Sequence, residues 1–457
     1  MEQSTGGHAM HSSLALLGGT PTGILPAPQH PTFTPDAIQS AAALLERGET
    51  VGLGRTHSSI VNAEEALSRY HGGRHALALG SGTAAIQAGL MGLGFGPGDE
   101  IICPPYTWGG TVSPILACGC IPAFTDIDPI TGNMDPASIE AVITPRTKAI
   151  MVVHLYGQPA DMVAINAIAA KHKLKVIEDA SQAHGARING TVVGNFSDVS
   201  AFSCMGWKLL GLAEAGYLTT SDEDVFWRAA MTCQHYGRAG EPDFPKHYEQ
   251  YVDSLVVTFR LSPVIATLFP SQLEKLDREI AGRRANVDIL RPMIADCKLA
   301  TLPDYAPGIE PSFHIVNLNF NIEEAGISRD TYCKALAAEG LEIGPYVPTP
   351  IYKWKRLLWQ DYDGPEIWWQ RILRDYGADY RGIERPGTEV KIARDLLIGW
   401  NYTVADTAAM ERIAACFHKV EANIDALRDW ERGIEADATI AAVKAARRAV
   451  ALHKEHQ

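Results

Sequence analysis

The sequence contains no Cys-x-x-Cys pair. Its eight cysteines are scattered from Cys103 to Cys416, and the one close pair, Cys118 and Cys120, lacks the spacing of a zinc site. Most sit in apolar contexts, as small core residues do, which favours a reducing compartment. No apolar run approaches the length of a membrane-spanning helix. Residues 1–13 are polar and hold no apolar stretch behind a basic start, so a cytoplasmic location is expected. Basic residues are in the minority: 40 Lys and Arg against 53 Asp and Glu leave a formal charge of −13. That balance argues against a nucleic-acid partner or an anionic membrane surface. No Gly-x-Gly-x-x-Gly follows the first strand pattern, which speaks against a dinucleotide-binding oxidoreductase. No internal repeat or low-complexity run is present.

What is present is an ordinary globular composition over 457 residues, 46% hydrophobic and 20% charged, long enough for two domains. Helical patterns cover 35–47 and 58–71. From residue 75 the pattern becomes strand, turn, helix, repeated. Strands are predicted at 76–79, 100–104, 121–125, 148–154, 174–178, 199–202 and 217–220, and helices at 84–93, 107–117 and 161–173. This alternation predicts an α/β fold, a three-layer α/β/α unit around a mostly parallel sheet. A long helix over 263–295 leads out of it into a smaller α+β unit, with strands at 312–322 and 341–346 and a helix at 405–426. The division expected is an N-terminal arm over 1–30, a large domain over 31–275, a small domain over 276–430 and a helical tail over 431–457.

In such sheets ligands bind beyond the carboxyl ends of the strands, and the residues there are chemically pointed. Ser81-Gly82-Thr83 opens a helix and offers backbone N–H groups to an anion. Trp108 supplies an aromatic face. Asp179 and Gln182 follow another strand. Ser203 ends the next one, and Lys208 lies five residues on, between two apolar runs. A lysine in apolar surroundings loses basicity by desolvation, and a neutral amine is what a Schiff-base nucleophile requires. Each residue alone has an ordinary explanation: a loop lysine, a helix cap, a core indole, a plain turn. Together they match the needs of pyridoxal 5'-phosphate. That cofactor takes a lysine for its aldehyde, a cup for its phosphate, a stacking surface and a carboxylate at its ring nitrogen.

The motifs that surround these residues resemble the DegT/StrS family of fold-type-I aminotransferases acting on sugars and cyclitols. They are Ser81-Gly-Thr-Ala-Ala85, Cys103-Pro-Pro-Tyr-Thr-Trp108, Phe124-Thr-Asp-Ile-Asp128, His154-Leu-Tyr-Gly-Gln-Pro-Ala-Asp161 and Glu178-Asp-Ala-Ser-Gln-Ala-His-Gly-Ala186. Ser203 with Lys208, Gln272-Leu-Glu-Lys-Leu-Asp277 and Arg283-Arg-Ala-Asn286 complete the set. The resemblance covers about residues 14 to 425. It implies that Lys208 binds the cofactor aldehyde and shuttles a proton. It also implies that Asp179 pairs with the ring nitrogen, Gln182 meets the ring hydroxyl, Ser81, Gly82, Thr83 and Ser203 hold phosphate, and Trp108 stacks. It implies a homodimer with active sites at the interface, an amino donor such as glutamate or glutamine, and a keto-sugar or keto-cyclitol acceptor. Dehydratase relatives carry histidine at the lysine position, so Lys208 favours transamination; a dehydratase, lyase or cyclase on the same scaffold is the alternative, and Lys208, Asp179 and Gln182 together argue against a non-catalytic regulatory role.

Three features depart from the family pattern. Thr258 stands where an asparagine usually crosses to the partner's phosphate. Alanines at 213 and 215 replace glycines around Glu214. A tryptophan-rich stretch, 354–385, is an insertion expected to shape the pocket. His154 and His184 are expected as hydrogen-bonded supports; His314 and Tyr346 lie at positions that could face substrate, with core packing the expected role for each. Arg238 and Arg260 are open to two roles, holding a donor carboxylate or forming interface ion pairs.

Overall fold

The computed structural model describes residues 13–53, 57–234 and 236–434. Of the helical tail expected over 431–457, residues 435–457 lie outside them. Helices α1 (Pro35–Glu46) and α2 (Ser58–Tyr70) precede the alternating region. That region runs β1 (His75–Leu79), α3 (Gly82–Leu93), β2 (Glu100–Cys103), α4 (Gly109–Ala117), β3 (Ile121–Phe124), β4 (Thr147–Val153), α5 (Met162–His172) and β5 (Lys175–Asp179). A short ribbon, β6 (Arg187–Ile188) and β7 (Thr191–Val192), leads to β8 (Val199–Ser203), β9 (Gly216–Thr220) and α6 (Glu223–Cys233).

Seven strands form one sheet in the order β1-β9-β8-β5-β4-β2-β3. Only β9 runs against its neighbours, antiparallel to both β1 and β8. Successive side chains on a strand point to opposite faces. On β1, Leu77 and Leu79 therefore join a core with residues of α3 and α6, while Ala76 and Ala78 join another with residues of α2. Burial on both faces explains why these strands read as unbroken apolar runs rather than alternating ones. The fold is the α/β class with a mostly parallel central sheet.

The single helix predicted over 263–295 is two, α7 (Pro263–Ala266) and α8 (Phe269–Met293). Pro270 explains the break: it has no N–H for the preceding turn and restricts the residue before it, so the helix restarts. Leu276 and Ile280 of α8 lie in the first unit, and Val287 and Leu290 in a second core. Beyond α8 come β10 (Ala300–Thr301), β11 (Ile309–Glu310), β12 (Ile315–Phe320), α9 (Ile322–Ala325), α10 (Arg329–Ala338) and β13 (Ile343–Gly344). Then follow α11 (Trp368–Asp375), α12 (Pro386–Arg394), β14 (Asp395–Gly399) and α13 (Thr407–Ala422). The second sheet has the order β10-β12-β14-β13. The strand predicted over 341–346 shrinks to two residues because Pro345 has no donor for the ladder.

Two segments cross between the units. The arm before α1 buries Leu14 in the second core, and the carboxylate of Glu339 accepts the N–H groups of Ala15 and Thr22, each at 2.8 Å. The tryptophan-rich stretch packs instead on the first core. Leu357, Leu373 and Tyr380 are buried there, and the Tyr380 hydroxyl donates to the Pro122 carbonyl at 2.9 Å. No helix among the described residues is long and apolar enough to cross a membrane.

Candidate active site

The carboxyl ends of β1, β2, β5 and β8 open onto a cavity of about 500 Å³. All eight residues proposed from the sequence line it: Ser81, Gly82, Thr83, Trp108, Asp179, Gln182, Ser203 and Lys208.

The turn after β1 builds the floor. Ser81 caps α3, its hydroxyl oxygen accepting the Ala84 N–H at 3.1 Å. The first N–H groups of a helix have no partner within it, and here they belong to the residues that line the cavity. Neighbouring chain lies very close. A Cβ on Gly82 would fall 2.6 Å from Cβ of Ser203, and one on Gly216 would fall 2.3 Å from the carbonyl carbon of Ser81. Glycine at both places lets β8 and β9 press against the helix start. The result is a tight cup of backbone donors and hydroxyls, the donor set an anion such as a phosphate requires.

Asp179 ends β5 and is 5% exposed. The Thr111 hydroxyl donates to its Oδ2 at 2.7 Å, and the Ser181 N–H donates to its Oδ1 at 3.2 Å. No helix follows at this point, so Asp179 is not a helix cap; a turn carries the chain to Gln182. Gln182 is held from both ends of its amide. Its Oε1 accepts the Tyr156 N–H and its Nε2 donates to the Tyr346 hydroxyl, each at 2.8 Å.

Lys208 sits in a loop whose two sides are laced together by backbone hydrogen bonds between Cys204 and Ala215 and between Gly206 and Ala213. Burial lowers its ammonium below the ordinary lysine range, against the opposing pull of Asp179 and Cys204. A less basic amine has a larger neutral fraction, as a nucleophile needs. The N-terminal arm reaches this loop too, where His30 Nε2 donates to the Lys208 carbonyl at 2.8 Å. Neither Ala213 nor Ala215 has a positive φ, so both fit where the family pattern has glycine. Glu214 lines the cavity from its exposed side.

The remaining candidates separate clearly. His154 is fully engaged: Nδ1 accepts the Ala160 N–H at 3.0 Å and Nε2 donates to Glu178 at 3.0 Å. Despite its burial, Glu178 is held down at about 2 by His154 and by donors from Gly194 and Ser197. His184 is buried and driven down to about 3, first by desolvation and then by the charge of Lys208. Arg238 is not available to a substrate. It is wholly buried and paired with Glu64 at 2.6 Å and Glu241 at 3.0 Å within the same chain. Thr258 is exposed and does not line the cavity, although its neighbour Phe259 accepts the Gly80 N–H at 2.9 Å.

His314 and Tyr346, expected in the core, both line the cavity. Phe313 takes a positive φ of 51° and turns the chain just before β12, so His314 reaches the rim. Thr107, Thr111 and Trp207 line it as well and were not foreseen. Thr107, just before α4, and Thr111 within it share a hydrogen bond at 2.9 Å, and their four-residue spacing was the available signal. Trp207 is 76% exposed and Trp108 72% exposed, so Trp108 is no core indole.

Residues 34–364 match the model of the DegT/DnrJ/EryC1/StrS aminotransferase family. A putative L-glutamine:3-amino-2,3-dideoxy-scyllo-inosose aminotransferase of Streptoalloteichus tenebrarius is 33% identical over 432 residues, covering 92% of this chain and 100% of that one. An aminotransferase from Psychrobacter cryohalolentis superposes with a TM-score of 0.74 at 25% identity, over 88% of this chain and 100% of that one. NtdA of Bacillus subtilis, solved with bound cofactor PMP, shares the fold with a TM-score of 0.67 at 24% identity, over 85% of this chain and 83% of that one. On the family match and the full-length relative, this chain belongs to the DegT/DnrJ/EryC1/StrS aminotransferase family.

Proposed function

We propose that the cavity holds pyridoxal 5'-phosphate and that the enzyme moves an amino group from glutamine or glutamate to a keto-cyclitol or keto-sugar. When bound, that cofactor supplies an aldehyde that takes up the amino group and a ring that accepts electrons released at the substrate carbon. Lys208 provides the amine for the aldehyde and then carries the proton at the substrate carbon. Asp179, fixed by Thr111 and Ser181, keeps a negative charge beside the ring nitrogen. Gln182 offers a hydrogen to the ring hydroxyl. The cup of Ser81, Gly82, Thr83 and Ser203 seats the phosphate, and Trp108 covers a ring face.

The observation that carries this reading is a buried, weakened amine in the loop after β8 and a hydrogen-bonded carboxylate at the end of the adjacent β5, both lining one cavity. Glutamine as donor and a cyclitol as acceptor are supported by the name of the full-length relative. We further read the functional unit as a homodimer that closes the cavity. Trp108, Trp207 and Leu255, the last 85% exposed, are the apolar groups a second copy would cover. The eight free cysteines accord with a cytoplasmic location.

The test is a half-reaction. Protein loaded with pyridoxal phosphate should lose its visible band on addition of glutamine and regain it when a keto-cyclitol is added. A band unmoved by glutamine and by glutamate contradicts the proposal.

A further inference from the structure

Gln182 is one corner of a closed hydrogen-bonded circuit that spans both sheets. Its Oε1 accepts the Tyr156 N–H at 2.8 Å, and the Tyr156 hydroxyl donates to Asp395 Oδ1 at 3.0 Å. Asp395 Oδ2 accepts the Tyr346 N–H at 3.1 Å, and the Tyr346 hydroxyl accepts from Gln182 Nε2 at 2.8 Å. Asp395 is also paired with the Lys391 ammonium at 3.0 Å, and both side chains are 0% exposed. The ammonium is held in turn by the side-chain oxygen of Asn319 and the carbonyl of Ile130. Tyr156 adopts φ 61°, a strained value for a side-chain-bearing residue, and so presents its N–H to Gln182 while its hydroxyl reaches Asp395.

An unrestrained glutamine amide can turn either end toward a ligand. Here a backbone N–H, which can only donate, fixes the oxygen end. Nε2 carries two hydrogens and gives one to Tyr346, which leaves one to offer the cavity. We propose that Tyr346, Asp395 and Lys391 are positioning residues that lock the Gln182 amide with its N–H toward the cofactor's ring hydroxyl. The second sheet thereby controls that hydrogen bond. A buried ion pair is costly to desolvate and adds little net stability, so a role in fixing geometry accounts for it better than a role in holding the fold.

This inference rests on the pyridoxal phosphate reading above. The titratable groups around Gln182 are Asp179 on its own turn, Lys208, Glu214 and His314, which line the same cavity, and Tyr106, Tyr156, Tyr346 and Asp395 of the circuit.

The experiment follows the visible band of loaded protein through a pH titration. A hydrogen donated to the ring oxygen favours its ionised form, so loss of the clamp moves the midpoint to higher pH. Tyr346→Phe should change the protonation constant about threefold to tenfold, the size expected for one weakened hydrogen bond to an ionised oxygen. In a Gln182→Ala background the same substitution should add nothing. Tyr156→Phe, which cuts the circuit at Asp395, should shift the midpoint in the same direction. Thermal unfolding without cofactor reports any purely structural effect separately. A midpoint unchanged by Tyr346→Phe, or a full further shift in the Gln182→Ala background, overturns the inference and leaves the cofactor assignment intact. Wild-type protein that shows no band at all overturns the cofactor assignment, and the inference with it.

Discussion

Thr111 donates its hydroxyl hydrogen to Asp179 Oδ2 at 2.7 Å, tying the helix after Trp108 to the end of the central strand β5, two strands away from the one that precedes the helix. The bond holds one oxygen of the carboxylate while the Ser181 N–H holds the other, so the charge is fixed in direction. Hydrogen bonds to charged groups contribute about 1.5–3 kcal/mol. Thr111→Val should therefore lower kcat/KM about tenfold to a hundredfold and weaken cofactor binding, while Thr111→Ser stays near wild type. Steady-state kinetics and cofactor titration of the two variants check this. Equal loss in both would mean that the hydroxyl is not what matters.

The cup at the start of the α3 helix has no room for another carbon. Gly82→Ala would place a Cβ 2.6 Å from the Ser203 Cβ and 2.9 Å from its Cα. Because backbone has to move, the cost should be about 1–3 kcal/mol in stability. The displaced donors should also weaken cofactor affinity by at least about tenfold, at roughly 1.4 kcal/mol per tenfold. Thermal unfolding of the cofactor-free protein and equilibrium binding measure the two effects separately. Unchanged values in both would contradict the close approach.

Acid should destabilise the cofactor-free protein from near neutrality downward. Burial drives His71 and His184 from 6.5 to about 3, with Arg74 adding to the effect on the first and Lys208 on the second. Between those values the unfolded chain holds a proton on each that the native protein refuses. Stability therefore falls as pH drops from about 6.5 to about 3, by about 1.4 kcal/mol per pH unit for each histidine. Glu178, held at about 2 against 4.5, adds a further loss below pH 4.5. Denaturant unfolding across this range should show that slope, and His71→Gln should reduce it by one histidine's share. A stability flat from pH 7 to about 4 would contradict it.

Much of the site was legible because its residues lie at strand ends marked by sharp local signals. Ser81-Gly82-Thr83, Asp179 and Lys208 each follow a short apolar run, and the parallel sheet aligns those ends on one rim. For His314 and Tyr346 the substrate-facing role was the less favoured of two, because they reach the cavity through long-range packing of the second sheet, to which no local period points. Arg238 stayed open between a donor carboxylate and an interface ion pair because its partner within the chain, Glu64, lies 174 residues away. The tryptophan-rich stretch was assigned by chain order to the second unit, whereas the first core buries Leu373 and Tyr380. The break between the helices at Ala266 and Phe269 was in plain view, since Pro270 marks it.

The most direct measurement is chemical. Protein incubated with pyridoxal phosphate is reduced with borohydride, digested and mapped by mass spectrometry. The account predicts that the reduced pyridoxyl group sits on the peptide carrying Lys208, and that Lys208→Ala protein carries none. Labelling of another lysine, or no labelling of the wild-type protein at saturating cofactor, would contradict it.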